Sequence, residues 1–291
     1  MFPPLLLYQH PLPAIAAIAL ITPAAGYNRC IFVRPVSEVV LVLHLETHYM
    51  LTPWFGEFMG TFVLILLGDG VVAGVLLRKT KSENAGWLVI TTGWALAVMC
   101  GVFTAIACGS PGAHINPAVT LGFALRSHDF SQVLPFIAAQ LCGAIAGATI
   151  VWLHFLPHWR ETPDAPTKLA VFSTSPAIRT FPANFLSEVI GTFVLVFVVC
   201  AIFSKKVAAT GPAAGLGPYL VGSLVWGIGL SLGATTGYAI NPARDLGPRI
   251  AHALLPIAGK GGSDWGYAPI PIFGPLVGGA LAGLLARLLA I

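Results

Sequence analysis

The chain has 291 residues, 56% of them hydrophobic and only 9% charged, with a formal net charge of +4 and a mean hydropathy of +0.84. Ordinary soluble domains carry roughly 25% charge, so this composition excludes a soluble globular protein and points to a membrane protein. No long basic run is present, which excludes nucleic acid as a partner; the positive balance fits Lys and Arg in loops at a membrane surface.

Residues 1–50 read as a poorly organised N-terminal extension. Their apolar core, Ala14–Ile21, is flanked by prolines, too short to span a bilayer, and lacks the charged leader of a signal peptide. Organised sequence begins directly after Met50 with "LTPWFGEFMGTF". The expected start of the protein is therefore near Met50, and the expected folded unit is residues 51–291. A spanning helix needs about 20 mostly apolar residues. In chain order, six are predicted: Trp54–Leu77, Trp87–Cys108, Val133–Phe155, Asn184–Phe203, Pro218–Ala234 and Ile270–Leu289. The third and sixth hold runs of small residues, "AAQLCGAIAGAT" and "GPLVGGALAGLLA", which permit close helix crossings. Cys100, Cys108, Cys142 and Cys200 lie in apolar runs and read as small buried hydrophobes. No Cys-x-x-Cys or His spacing suggests a metal site.

Two repeats organise these spans. "EFMGTFVL" from Glu57 matches "EVIGTFVL" from Glu188 at six of eight positions. "GAHINPAVTLG" from Gly112 matches "GYAINPARDLG" from Gly237 at seven of eleven. The chain is thus two homologous halves, residues 51–156 and 183–291, of three spans each. Three is odd, so the second half enters the membrane from the opposite side, related to the first by a pseudo-two-fold axis in the membrane plane.

Each Asn-Pro-Ala segment precedes an apolar tract too short to span, Ala118–Leu125 and Ala243–Leu254. A re-entrant half-helix fits. Asn116 and Asn241 suit the N-cap, and Pro117 and Pro242 suit the first helical turn, where a missing N–H costs nothing. Non-helical backbone at membrane depth is tolerated only when it is buried in protein or lines a cavity. Two half-helices meeting by their N-termini create a positive potential that accepts the oxygen of a neutral solute and opposes cations. Arg244 at membrane depth is a functional-site residue by default, with a structural ion pair to Asp245 or to a carboxylate from a span as the alternative. Asp245 is expected to bond backbone amides in the first turn of its half-helix. Glu57 and Glu188, buried at equivalent sites, need partners and read as symmetric braces, with proton relays of a transporter as the alternative. Asp69 has no acidic counterpart and is unassigned. His114 is expected to hold its loop by its ring. No nucleophile elbow, zinc-protease motif or phosphate loop is present, so the chain is not expected to be an enzyme.

The doubled Asn-Pro-Ala, the doubled Glu-x-x-Gly-Thr and the six spans resemble the aquaporins, or major intrinsic proteins, over about Trp54–Leu289. The resemblance implies an all-α membrane fold of six transmembrane helices plus two re-entrant half-helices, a homotetramer with one pore per protomer, passive flow, and no cofactor or metal. Asp245 directly after Arg244 is similar to the glycerol-facilitator branch. By that likeness the outer constriction comprises Trp94, Gly229, Tyr238 and Arg244, with Leu96 the competing register for Trp94. Pore carbonyls come from Gly112, Ala113 and His114 and from Gly237, Tyr238 and Ala239, and Gly229 leaves width. The implied function is a channel for glycerol and other small neutral solutes that also conducts water and excludes protons and ions. A water-dominant channel and an ion-coupled secondary transporter are the alternatives. The family topology puts both termini in the cytoplasm and implies a multi-pass protein of a bacterial inner membrane surrounded by lipid. Lys205 and Lys206 then obey the positive-inside rule, whereas Arg78, Lys79 and Lys81 fall outside, tempered by Glu83. The loop Leu156–Pro182 is expected outside, as part of a vestibule.

Overall fold

The computed structural model describes residues 51–209 and 215–291, so the expectations for residues 1–50 lie outside the described residues. Helix α1, Pro53–Leu76, starts at a Thr-Pro step: Thr52 caps it by accepting from the Phe55 N–H, and Pro53 occupies the first turn. It is followed by α2 (Trp87–Ala107), the half-helix α3 (Pro117–Ser127), and α4 (Val133–His154). Two short helices, α5 (His158–Glu161) and α6 (Ala165–Phe172), lie in the connection to α7 (Phe181–Ile202). Then come α8 (Lys205–Ala208), α9 (Gly217–Ser231), the half-helix α10 (Pro242–Leu254) and α11 (Pro269–Leu288). No strand occurs among the described residues.

Among the described residues, five helices, α1, α2, α4, α7 and α11, are long and apolar enough to cross a membrane. The fifth predicted span, Pro218–Ala234, is shorter than expected. Helix α9 has 15 residues, about 22 Å at 1.5 Å per residue. It stops after Ser231 because the chain turns there: the Gly237 N–H donates to the Gly233 carbonyl, and a Cβ on Gly233 would stand 2.5 Å from the Gly229 carbonyl oxygen. That turn delivers the second Asn-Pro-Ala segment to the middle of the molecule.

Leu51–Ile291 forms one compact unit. Its contacts depend on missing side chains. A Cβ on Gly143 of α4 would lie 2.3 Å from the Phe58 carbonyl oxygen of α1, and one on Gly278 of α11 would lie 2.3 Å from that of Val189 in α7. The same crossing is therefore built in both halves. The half-helices exchange partners: Gly122 of α3 meets Gly279 of α11, and Gly247 of α10 meets Ala144 of α4. Each half-helix thus packs on the last span of the other repeat. Span two meets span five where Gly222 faces the Ala95 carbonyl. Leu88, Leu134, Leu186 and Phe273 stand on the outside, more than half exposed, as lipid-facing side chains do. Cys100 and Cys142 are exposed there as well, contrary to their expected burial, whereas Cys200 is buried; helix rotation, invisible in continuously apolar runs, decides which face a cysteine takes.

The connection before α7 is not a loose loop. Trp159 and Phe172 are buried and stacked, with ring centroids 5.6 Å apart. The basic cluster after α1 is compensated: Arg78 pairs with Glu83 at 3.7 Å and Lys79 with Glu161.

Candidate functional site

The half-helices meet N-terminus to N-terminus. Asn116 and Asn241 cap them with matching extended backbones, φ −160° and −154°. Asn116 Oδ1 accepts from the Ala118 N–H at 2.8 Å; Asn241 Oδ1 accepts from the N–H groups of Ala243 and Arg244 at 3.0 and 3.3 Å. Each amide nitrogen crosses to the other repeat: Asn116 Nδ2 donates to the Ile240 carbonyl at 2.8 Å and Asn241 Nδ2 to the Ile115 carbonyl at 2.9 Å. A side-chain amide has two donor hydrogens, so each asparagine keeps one. Pro117, Ala118, Pro242 and Ala243 form the buried first turns.

Behind each segment stands a glutamate. Glu57 accepts from the N–H groups of His114 (2.8 Å) and Ile115 (2.6 Å), and from Ser110 Oγ and Gln140 Nε2. Glu188 accepts from those of Ala239 (3.0 Å) and Ile240 (2.9 Å). In a trans peptide the carbonyl points opposite to the following N–H. The carbonyls of Ala113, His114, Tyr238 and Ala239 therefore point away from the glutamates. Among the described residues, none of these carbonyls, nor those of Gly112 and Gly237, accepts a hydrogen bond. The loops are strained in the same rhythm. Ala113 and Ile115 have φ of 41° and 44°, Tyr238 and Ile240 37° and 42°. A β-branched residue at positive φ is a genuine outlier, and such strain persists only where surrounding structure imposes it; here the paired glutamate bonds do so. The His114 ring contacts Thr120 Oγ1 at 3.2 Å and stacks on Phe123.

A cavity of about 340 Å³ runs past these loops. Its lining combines the aliphatic side chains of Leu64, Val98, Val102, Leu195, Val199, Val221 and Val225 with residues of the two Asn-Pro-Ala segments, Gly112, Ala113, His114, Asn116, Tyr238, Ala239 and Asn241, and with Arg244. Gly237 is not among them.

Trp94, Tyr238 and Arg244 share the lining. The Arg244 guanidinium lies 4.0 Å from the centroid of the Trp94 ring, in cation–π geometry. Trp94 is 4% exposed and the competing Leu96 51%, so Leu96 faces outward. Gly229 does not line the cavity. Its missing side chain is the room taken by the Tyr238 ring, since a Cβ there would stand 2.9 Å from Tyr238 Cζ. The expectation that Gly229 leaves free width is corrected accordingly. The buried Tyr238 hydroxyl has no partner among the described residues.

The arginine is paired. Arg244 Nη1 donates to Asp69 Oδ1 at 3.3 Å, so its partner is the span carboxylate rather than Asp245. Asp245 does not bond its own helix turn. It accepts from the Thr174 N–H (2.8 Å) and hydroxyl (2.7 Å) and from Arg249 Nε (2.7 Å), all buried. The reason is geometric: one turn on, Arg249 offers a donor fork on the same face, and the loop before α7 supplies the remainder. Gln140, Thr174 and Arg249 were missed in the sequence. A glutamine inside an apolar span and an Asp-x-x-x-Arg pair were available signals; Thr174 carried none. The C-terminus of α10 is closed by Lys260 Nζ, which donates to the carbonyls of His252, Ala253 and Leu255.

The model of the major intrinsic protein family matches residues 44–286. The chain is 58% identical to glycerol uptake facilitator protein 3 of Lactiplantibacillus plantarum, over 80% of this chain and 95% of that one. It is 55% identical to a probable glycerol uptake facilitator of Thermotoga maritima, over 80% and 97%. Among solved structures, the aquaglyceroporin of Plasmodium falciparum is similar with a TM-score of 0.70 and 27% identity, over 80% of this chain and 94% of that one. With the doubled motif, the crossed half-helices and these likenesses together, the chain belongs to the major intrinsic protein family, a family of multi-pass membrane channels and not of enzymes.

Proposed function

We propose that this protein is a passive channel for glycerol and other small neutral solutes that also passes water while excluding protons and ions. The observation that carries it is the mixed lining of the cavity, aliphatic side chains together with the two Asn-Pro-Ala segments. A polyol has a carbon face and a hydroxyl face; the aliphatic lining takes the first, and the unpaired carbonyls with the spare amide hydrogens of Asn116 and Asn241 take the second. Relatives at 51–58% identity carry glycerol-facilitator names, which supports the polyol over water as the characteristic solute.

In this reading Trp94, Tyr238 and Arg244 form the constriction, and Gly229 serves it by seating Tyr238. The facing helix N-termini set a positive barrier to cations at the midpoint. Glu57, Glu188 and Asp245 act structurally, each saturated by donors from its own surroundings rather than aligned as a proton path. Residues 51–291 constitute the channel unit, assembled as a homotetramer in a bacterial cell membrane.

The test is stopped-flow light scattering on purified protein in liposomes. Glycerol entry well above that of empty liposomes, together with water flux, is expected. Glycerol flux no faster than in empty vesicles overturns the proposal, and accumulation against a gradient driven by protons would replace it with the coupled transporter.

A further inference from the structure

Asp69 is buried in α1, 12 residues after Glu57. The same step from Glu188 leads to Cys200 in the second repeat. Arg244, three residues after Asn241, corresponds to Val119 after Asn116. The pseudo-two-fold axis therefore maps the Asp69–Arg244 pair onto Cys200–Val119. At one end of the molecule this pair of positions is apolar; at the other it is an ion pair. Both members of the charged pair depart from their counterparts together.

The local packing adds a second argument. Gly68 and Asp69 are adjacent, and they address the two partners of one cation–π contact. A Cβ on Gly68 would stand 2.2 Å from the Trp94 ring, so the indole lies directly on that glycine. Asp69 Oδ1 takes Arg244 Nη1, while Oδ2 is buried with no partner among the described residues. The guanidinium is thus held between a carboxylate and an aromatic face. Asp69 does not line the cavity. It can reach a solute only through Arg244.

We propose that Asp69 is a specificity-determining positioning residue: it holds the Arg244 guanidinium against Trp94, out of the path of the solute, and so keeps the constriction wide enough for a polyol. Without the carboxylate the arginine is free to turn toward the lumen, where it narrows the passage and offers donors in the wrong place. Water, being smaller, is affected less. The inference rests on the channel reading above, and the test separates the two, because that reading stands or falls on the unaltered protein alone, whereas the inference is read from the variants.

The experiment compares glycerol and water permeability in liposomes for the unaltered protein and Asp69→Asn, each alone and combined with Arg244→Val. Asp69→Asn is expected to lower the glycerol-to-water ratio at least threefold. In the Arg244→Val background the same change at Asp69 is expected to leave the ratio where it was. An unchanged ratio in Asp69→Asn overturns the proposal, as does an equal drop in both backgrounds, which would mean that the carboxylate acts without the arginine. If Asp69→Asn does not assemble, the double variant Asp69→Cys with Arg244→Val, which installs the residue pair of the other repeat, is compared with Arg244→Val alone. Equal glycerol-to-water ratios in the two are expected, because without the arginine the carboxylate has nothing to position; a ratio that differs between them overturns the proposal.

Discussion

Glu57 and Glu188 do the same work through the same atoms. Each carboxylate gathers two consecutive N–H groups, and by doing so turns the preceding carbonyls the other way. The left-handed φ values at Ala113, Ile115, Tyr238 and Ile240 are the conformational cost of that arrangement. Glu188→Gln replaces one acceptor oxygen by a donor facing an N–H. Leaving a buried donor unsatisfied costs about 1–3 kcal/mol, so a lower melting temperature and a several-fold loss of glycerol flux are expected; calorimetry and stopped-flow measurements on one preparation check both. Full flux in that variant would mean that the loop holds its shape without the glutamate.

At the level of elements, the helices approach through glycine rather than through interlocking large side chains. Gly143→Leu drives a side chain toward the Phe58 carbonyl, whereas Gly70 has open space at its Cβ position. Overpacking of this kind costs about 1–3 kcal/mol. Gly143→Leu should therefore lower the thermal midpoint clearly and Gly70→Ala hardly at all, as followed by fluorescence-detected unfolding in detergent. Equal midpoints would show that the α1–α4 crossing can open at no cost. The small-residue runs of α4 and α11 were legible in the sequence as packing surfaces. Which helix each glycine meets was not. Gly122 and Gly247 reach across to the other repeat, and no local pattern carries that pairing.

For the whole molecule, ion exclusion belongs to the meeting of the two halves, since each contributes one helix N-terminus and one asparagine. Asn116→Asp puts a negative charge at that point and should weaken the barrier from one side. Vesicles loaded with a pH-sensitive dye are expected to show a proton leak with this variant and none with the unaltered protein; a tight variant would locate the barrier elsewhere. The doubled motifs by themselves determined the inverted six-span architecture, because an odd number of spans per repeat leaves one solution, and they picked out Asn116 and Asn241 as its centre. The starts of both half-helices were legible for one local reason, an asparagine cap followed by a proline. Only the tertiary structure decided the partners of the buried charges. Asp69 joined Arg244 from 175 residues away, and Asp245 turned to Thr174 and Arg249. A sequence displays which charges must be paired inside a membrane, but pairing depends on the distance between side chains from separate elements, and that distance exists only once the helices have packed.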